Sequence, residues 1–203
     1  MAETARHSDT RRHILRAALK HFANSGYAAA SVQQIVDAAR VSKPALYYHF
    51  KDKAALFQAL VDEAHDKEFE LLRKAAARGG ALKGRLVEIL AVLFEYFQEN
   101  RELMRIALAT MFASPGELPH RLRYLDRCER NFELIHSLMK RALREGELDR
   151  RFGSRELAFG FYGQANVHLM AHLVAPTCQL NRRTAERIVR LFLAGAGAKT
   201  RRT

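Results

Sequence analysis

Lys43, Ala45, Tyr47 and Tyr48 are the residues of this sequence whose side chains suit recognition best. They are cationic, small and hydroxylated, and they follow one another from the start of a short segment. A helix showing such side chains from its N-terminal end is what a DNA major groove accepts, because base edges there present donors, acceptors and methyl groups to be matched. The elements that must hold them are legible on either side. Ser42 is a good N-cap, with Lys43 and Pro44 in the first turn, where a missing N–H costs nothing. Leu46 and Phe50, four apart, share the face that packs inward. Upstream, Ser31 caps a helix on which Val32, Ile35, Val36 and Ala39 recur at helical spacing, and Arg40-Val41 interrupt it. Two short helices joined by a tight turn make a helix-turn-helix. An ordinary helical hairpin with solvated polar residues has the same pattern.

Further elements frame this pair. Residues 1–8 are polar, and Asp9 or Thr10 caps a first helix striped by Ile14, Ala18 and Phe22, with Gly26 as its stop. Phe22, Ile35, Leu46 and Phe50 are the expected centre of a three-helix module. Arg11 and Arg12 either touch phosphate or are solvated. Lys51-Asp52-Lys53 opens a long helix to about Arg78, whose N-terminal amides suit a phosphate, and Gly79-Gly80 ends it. From Ala81 the helices grow more apolar. Leu82, Leu86, Ile89, Leu90, Leu93 and Phe97 make one stripe, continued by Leu103, Met104, Ala107, Leu108 and Met111. Ser114-Pro115-Gly116 is a break, and Pro119 starts a helix bearing Leu122, Leu125, Phe132, Ile135 and Met139. Ser154 caps a helix to about Val174, ended by Pro176. Arg182 to Ala196 forms the last helix, before the basic tail AKTRRT.

Ile14-Leu15, Ala18, Phe22, Gly26-Tyr27, Ser31-Val32, Ile35, Ala39, Val41-Ser42-Lys43, Leu46-Tyr47-Tyr48-His49-Phe50, Lys53 and Leu56 stand in the register of a known family. Over its first quarter the chain resembles the tetracycline-repressor (TetR) family of transcription regulators. One position departs, since the family usually has Gly where this chain has Arg40. A left-handed conformation there costs a non-Gly residue about 1 kcal/mol or more. Either the turn is built differently, or the guanidinium gains a use, such as a phosphate contact. The resemblance implies an all-α fold: a helix-turn-helix DNA-binding domain over 1–53, a connecting helix over about 53–78, and a ligand-binding and dimerisation domain over 79–203. It implies a homodimer on a palindromic operator in double-stranded DNA, released by a small-molecule effector. A repressor is the expected output, with an activator of the same fold as the alternative.

Ser31, Ser42, Lys43, Tyr47, Tyr48, His49 and Lys53 fall where members of the family meet DNA. Lys43 can donate to guanine O6 and N7 or to phosphate, and Pro44 and Ala45 can meet a thymine methyl. The Ser31 and Tyr47 hydroxyls and Lys53 suit phosphates, which fix register without reading sequence. Gln33 reaches a base edge or the backbone, or is simply solvated. For the effector, the resemblance points to Phe97, Met104, Met111, Phe132, His136, Tyr162, Gln164 and His168, since Met and aromatic side chains suit an adaptable apolar site. The same residues at helical spacing also read as plain core. For the dimer, members of the family pair through their last two long helices. That singles out Phe159, Gly160, Gly163, Val167, Ile188 and Phe192, although both helices could equally finish their own core.

Composition bounds the rest. The 203 residues are 48% hydrophobic and 28% charged, ordinary for a globular chain. The net charge of +12 suggests a polyanionic partner. Residues 1–53 hold nine Lys/Arg against four Asp/Glu, denser in positive charge than the remainder, which is basic too. Cys128 and Cys178 read as small hydrophobes rather than a disulfide framework. His168 and His172 could share a metal, but further ligands beyond a remote Cys178 are not evident, so no metal or cofactor is expected. No secretory signal is visible, and LVEILAVLFEYF is too short and too acidic to span a bilayer, which places the protein in the cytoplasm with DNA. No Gly-rich phosphate loop or Ser-His-Asp grouping marks an enzyme. A nucleoid-type protein using the basic surface without base readout is the rival among binding proteins.

Overall fold

The computed structural model describes residues 2–114, 117–119, 124–175 and 177–197; the side chains of 2–8, Tyr124 and Leu125 lie outside the description. Among the described residues are nine α-helices: α1 Ala2–Ala29, α2 Val32–Ala39, α3 Lys43–His49, α4 Lys53–Ala77, α5 Leu82–Glu99, α6 Arg101–Met111, α7 Tyr124–Arg144, α8 Ser154–Val174 and α9 Arg182–Ala196. Their contacts sort into two units, Met1–Ala64 with Arg101–Tyr124, and His65–Asn100 with Leu125–Thr203. The expected division at 53 and 79 differs from this grouping in α4, which the boundary divides, and in α6. The turn at Pro115-Gly116, Leu122, the Leu125 side chain, Pro176 and the tail from Ala198 lie outside the described residues.

The first unit is built on α1. Helix formers continue upstream of Asp9 and Thr10, so α1 begins at Ala2 rather than at either expected cap. Gly26, at φ +76° and ψ 167°, breaks its helical path where a stop was expected. Phe22, Ile35, Leu46 and Phe50 are all buried, as the three-helix module requires. Phe57 closes the cluster, edge-on to Phe22 at 5.0 Å and to Tyr27 at 5.1 Å. The apolar stripe through Leu103 to Met111 does not simply continue α5. Asn100 leaves helical dihedrals at φ −124° and its side chain donates to Tyr96 O at 2.7 Å, so α6 is a separate helix, packed along α1.

The second unit packs α9 chiefly on α5, with α8 against both. Leu86, Ile89, Leu90 and Phe94 of α5, Met139 and Ala142 of α7, Ala158 and Phe161 of α8, and Ile188 and Val189 of α9 make its core. Glu147, just beyond α7, accepts from the Leu82 amide at 2.7 Å and from the nearly buried Arg85 guanidinium at 3.2 Å. A side chain from a distant loop thus caps the start of α5. Glu88 is gripped by Arg182 of α9 and by Arg78; the Arg182 hydrogen bond is the main reason its carboxyl titrates below the usual range. The loop before α8 is tied to the end of α9 by Asp149 N donating to Ala196 O at 2.9 Å. Ser154 does not cap α8. It is the first helical residue, Gly153 takes the cap position, and the Glu156 carboxylate accepts from Gly153 N at 2.7 Å.

Candidate nucleic-acid interface

Serine caps set both helices of the pair. The Ser31 hydroxyl accepts from Gln34 N at 3.1 Å while Gln34 Oε1 accepts from Ser31 N at 3.2 Å, a reciprocal capping box. Ser42 accepts from Ala45 N at 3.3 Å, and Pro44 sits in the first turn. Each hydroxyl keeps its own O–H to donate. Leu46 is buried and fixes the rotation of α3, which leaves Lys43, Pro44, Tyr47 and Tyr48 exposed and Ala45 half-buried. His49 turns its ring edge-on to Tyr48 at 5.4 Å. Gln33 donates to Asp37 at 2.8 Å, which ties its amide along α2.

The turn between the helices accepts the strain that Arg40 brings. Its backbone lies in the left-handed region, φ 54° and ψ 45°, and it is the one non-glycine residue with positive φ among those described. Arg40 N and Val41 N close on Asp37 O at 3.1 Å and Val36 O at 3.0 Å, so the last carbonyls of α2 are satisfied in the manner glycine usually serves. The side chain is exposed and borders a groove of about 340 Å³ with His13, Arg16, Ala17, Lys20 and His21 of α1. Sequence reading missed those four polar residues. Their spacing along one helical face was the available signal.

Lys53 requires a correction. Its ammonium donates to Tyr27 O at 2.9 Å, Ala28 O at 3.1 Å and Ala30 O at 3.0 Å, and lies 4.6 Å from the Tyr27 ring centroid. All three N–H groups close the carbonyls left open where α1 ends, so Lys53 is a strut rather than a phosphate contact. The start of α4 is also spoken for. Asp52 accepts from Ala55 N at 2.7 Å, placing a carboxylate where a phosphate was expected. Arg11 pairs with Glu63 at 3.3 Å and lies over the Phe50 ring, and Arg12 pairs with Asp9 at 3.2 Å.

The eight effector candidates are not gathered in one unit. Met104, buried, and Met111, exposed, belong to the first; Phe97, Phe132, His136, Tyr162, Gln164 and His168 belong to the second. There Phe132 meets Tyr162 edge-on at 6.3 Å, and His136 is held between Glu133 and Ser154, each at 3.0 Å. His168 donates to Gln164 O at 2.7 Å and His172 to Cys178 O at 2.6 Å. One buried amide and one enclosed amide oxygen stand out in the second unit. Asn131, fully enclosed, finds no hydrogen-bond partner for either amide atom, and Gln164 Oε1 finds none. Asn131 was missed because a lone amide on an apolar helix reads as surface.

Of the dimer candidates, Ile188 and Phe192 are buried within their own unit, Phe192 edge-on to Phe161 at 5.5 Å. They therefore complete the core instead of offering a face, a second correction. Phe159 and Val167 are 60% and 62% exposed, and Gly163 borders open space. Val174 and Leu191, 84% and 67% exposed, extend the apolar surface of α8 and α9. Among the described residues, no helix is long and apolar enough to cross a membrane.

Comparison with known proteins locates this arrangement. Residues 14–60 match the model of the bacterial regulatory proteins of the tetR family. The chain is 31% identical over 107 residues to the uncharacterized HTH-type transcriptional regulator YuxN of Bacillus subtilis, covering 53% of this chain and 35% of YuxN. It is 38% identical over 100 residues to the HTH-type transcriptional regulator AcrR of Shigella flexneri, covering 47% and 46%. These matches span half or less of the curated relatives' length. In structure, the fatty acid degradation regulator FadR of Bacillus halodurans superposes with a TM-score of 0.81 at 18% identity, over 92% of this chain and 95% of that one.

Proposed function

We propose, since the chain belongs to the TetR family of bacterial regulatory proteins, that it is a ligand-responsive transcriptional regulator. In this reading a homodimer binds a palindromic operator in the cytoplasm, and a small molecule releases it to relieve repression. The observation that carries it is the outward face of α3. Ser42 and the buried Leu46 fix that helix so that Lys43, Pro44, Tyr47 and Tyr48 are exposed, with Ala45 half-buried among them. Ser31, Gln33, Arg40, Ser42 and His49 then border the same DNA contact, with Lys43 reading a base edge and the hydroxyls fixing register on phosphates.

Two recognition helices must lie about 34–36 Å apart to enter successive major grooves. Pairing is assigned to the exposed face of α8 and α9, with Phe159, Gly160, Gly163 and Val167 at its centre. The effector is assigned to the second unit, near Phe132, His136, Tyr162 and Gln164. The unpartnered Asn131 amide and Gln164 Oε1 support this, since buried polar groups call for a partner that a polar ligand can supply. Release requires only that the effector bind the two conformations of the regulator unequally. Selection from random duplexes with the purified protein is the test. Recovery of one inverted repeat by a dimer is expected; a monomer, or equal binding to every duplex, overturns the reading.

A further inference from the structure

The groove between α1 and the end of α2 has a lining of unusual uniformity. His13, Arg16 and Lys20 recur along one face of α1, His21 joins them, and Arg40 closes the opposite wall over a floor of Ala17, Ala38 and Ala39. Three side chains are permanently cationic and two are imidazoles, each able to donate a hydrogen bond. Among the described residues none of the five forms an ion pair. The nearest acid in sequence, Asp37, accepts instead from Gln33. Elsewhere in the first unit the exposed arginines Arg11 and Arg12 have carboxylate partners.

Arg40 carries the second strand of the argument. A left-handed backbone favours glycine there, yet the position holds an arginine beside Arg16 and Lys20, which repel a third cation. An anion seated in the groove would offset the repulsion and give the arginine a use. Position restricts which anion. Arg40 precedes Lys43 by three residues, so their Cα atoms are at most about 11 Å apart. A duplex carries one negative charge per about 1.7 Å of its axis. A duplex laid against the start of α3 can therefore bring phosphates within reach of Arg40.

We propose that this groove is a seat for DNA backbone phosphates, with Arg16, Lys20 and Arg40 as the charged contacts and His13 and His21 as further hydrogen-bond donors. It adds an anchor beside the base-reading helix and rests on the DNA-binding reading above. Bound phosphate is read by charge alone, so the seat strengthens binding to all sequences alike.

The test compares wild type, Arg16→Gln/Lys20→Gln and Arg40→Gly on two probes, the inverted repeat recovered by selection and a random-sequence duplex of equal length. The slope of log affinity against log salt is measured for each. Every lost phosphate contact lowers the slope by about 0.9. The double variant is expected to lose nearly two and Arg40→Gly nearly one, with the preference between probes unchanged. Arg40→Gly should melt higher than wild type, because glycine relieves the turn, while binding DNA less tightly. Slopes unchanged in either variant overturn the seat, as does a changed preference between probes. If inorganic pyrophosphate raises the wild-type melting midpoint while the slopes stay fixed, a free anion is the occupant and the proposal fails. A wild type showing no preference for the inverted repeat refutes the regulator reading instead, and the random-duplex slopes still decide the seat.

Discussion

Residues with similar chemistry serve different ends here, and neighbours decide which. Lys43 and Lys53 are both lysines beside a helix start. Lys43 is exposed, whereas Lys53 spends its three donors on Tyr27, Ala28 and Ala30 carbonyls. Lys43→Ala should weaken binding and relax operator preference by about 1–3 kcal/mol at one base pair, read from a selection profile. Tyr47→Phe should weaken all sequences alike. Lys53→Met should instead lower stability by about 2 kcal/mol in denaturant titration and leave the salt slope of DNA binding unmoved. The caps at Ser31 and Ser42 were legible because a cap and its amide are three residues apart. The duty of Lys53 was not, because its partners lie more than twenty residues upstream and only the fold brings them together.

Helices in this chain are secured at their ends by residues from elsewhere. Glu147 caps α5 and partners the buried Arg85, so Glu147→Ala uncaps the Leu82 amide and leaves the guanidinium only its longer contact with Glu145, at 3.8 Å. A loss of about 3 kcal/mol in denaturant titration is expected. Glu88 joins the starts of α5 and α9 through Arg182. Its carboxyl titrates below the usual range, so its contribution is complete above that range and fades as the pH falls through the lowered value. The gap in melting midpoint between wild type and Glu88→Gln should accordingly be widest near neutrality and close in strong acid. The apolar stripes of α2, α3, α5 and α9 were readable from their period, with the serine caps agreeing for α2 and α3. The break at Asn100 was not, because apolar residues run on through it at helical spacing and only the amide's hold on Tyr96 O marks the end.

At the scale of the whole molecule, the exposed face of α8 is the feature that a lone chain leaves unexplained. Val167→Glu should abolish dimerisation in sedimentation while sparing the melt, whereas Ile188→Glu should unfold the second unit. Burial separated these two residues, and sequence could not, because both are branched aliphatics on helices with an excess of apolar surface. The first unit carries a different lesson, since α6, which begins at Arg101, returns to α1 from well beyond the helix-turn-helix that ends at His49. Domain exchange among regulators is commonly imagined as cutting after the DNA-reading segment and pasting. Here such a graft would leave a flank of α1 facing a stranger's helix, and a hybrid would have to borrow α6, Arg101–Met111, together with the head.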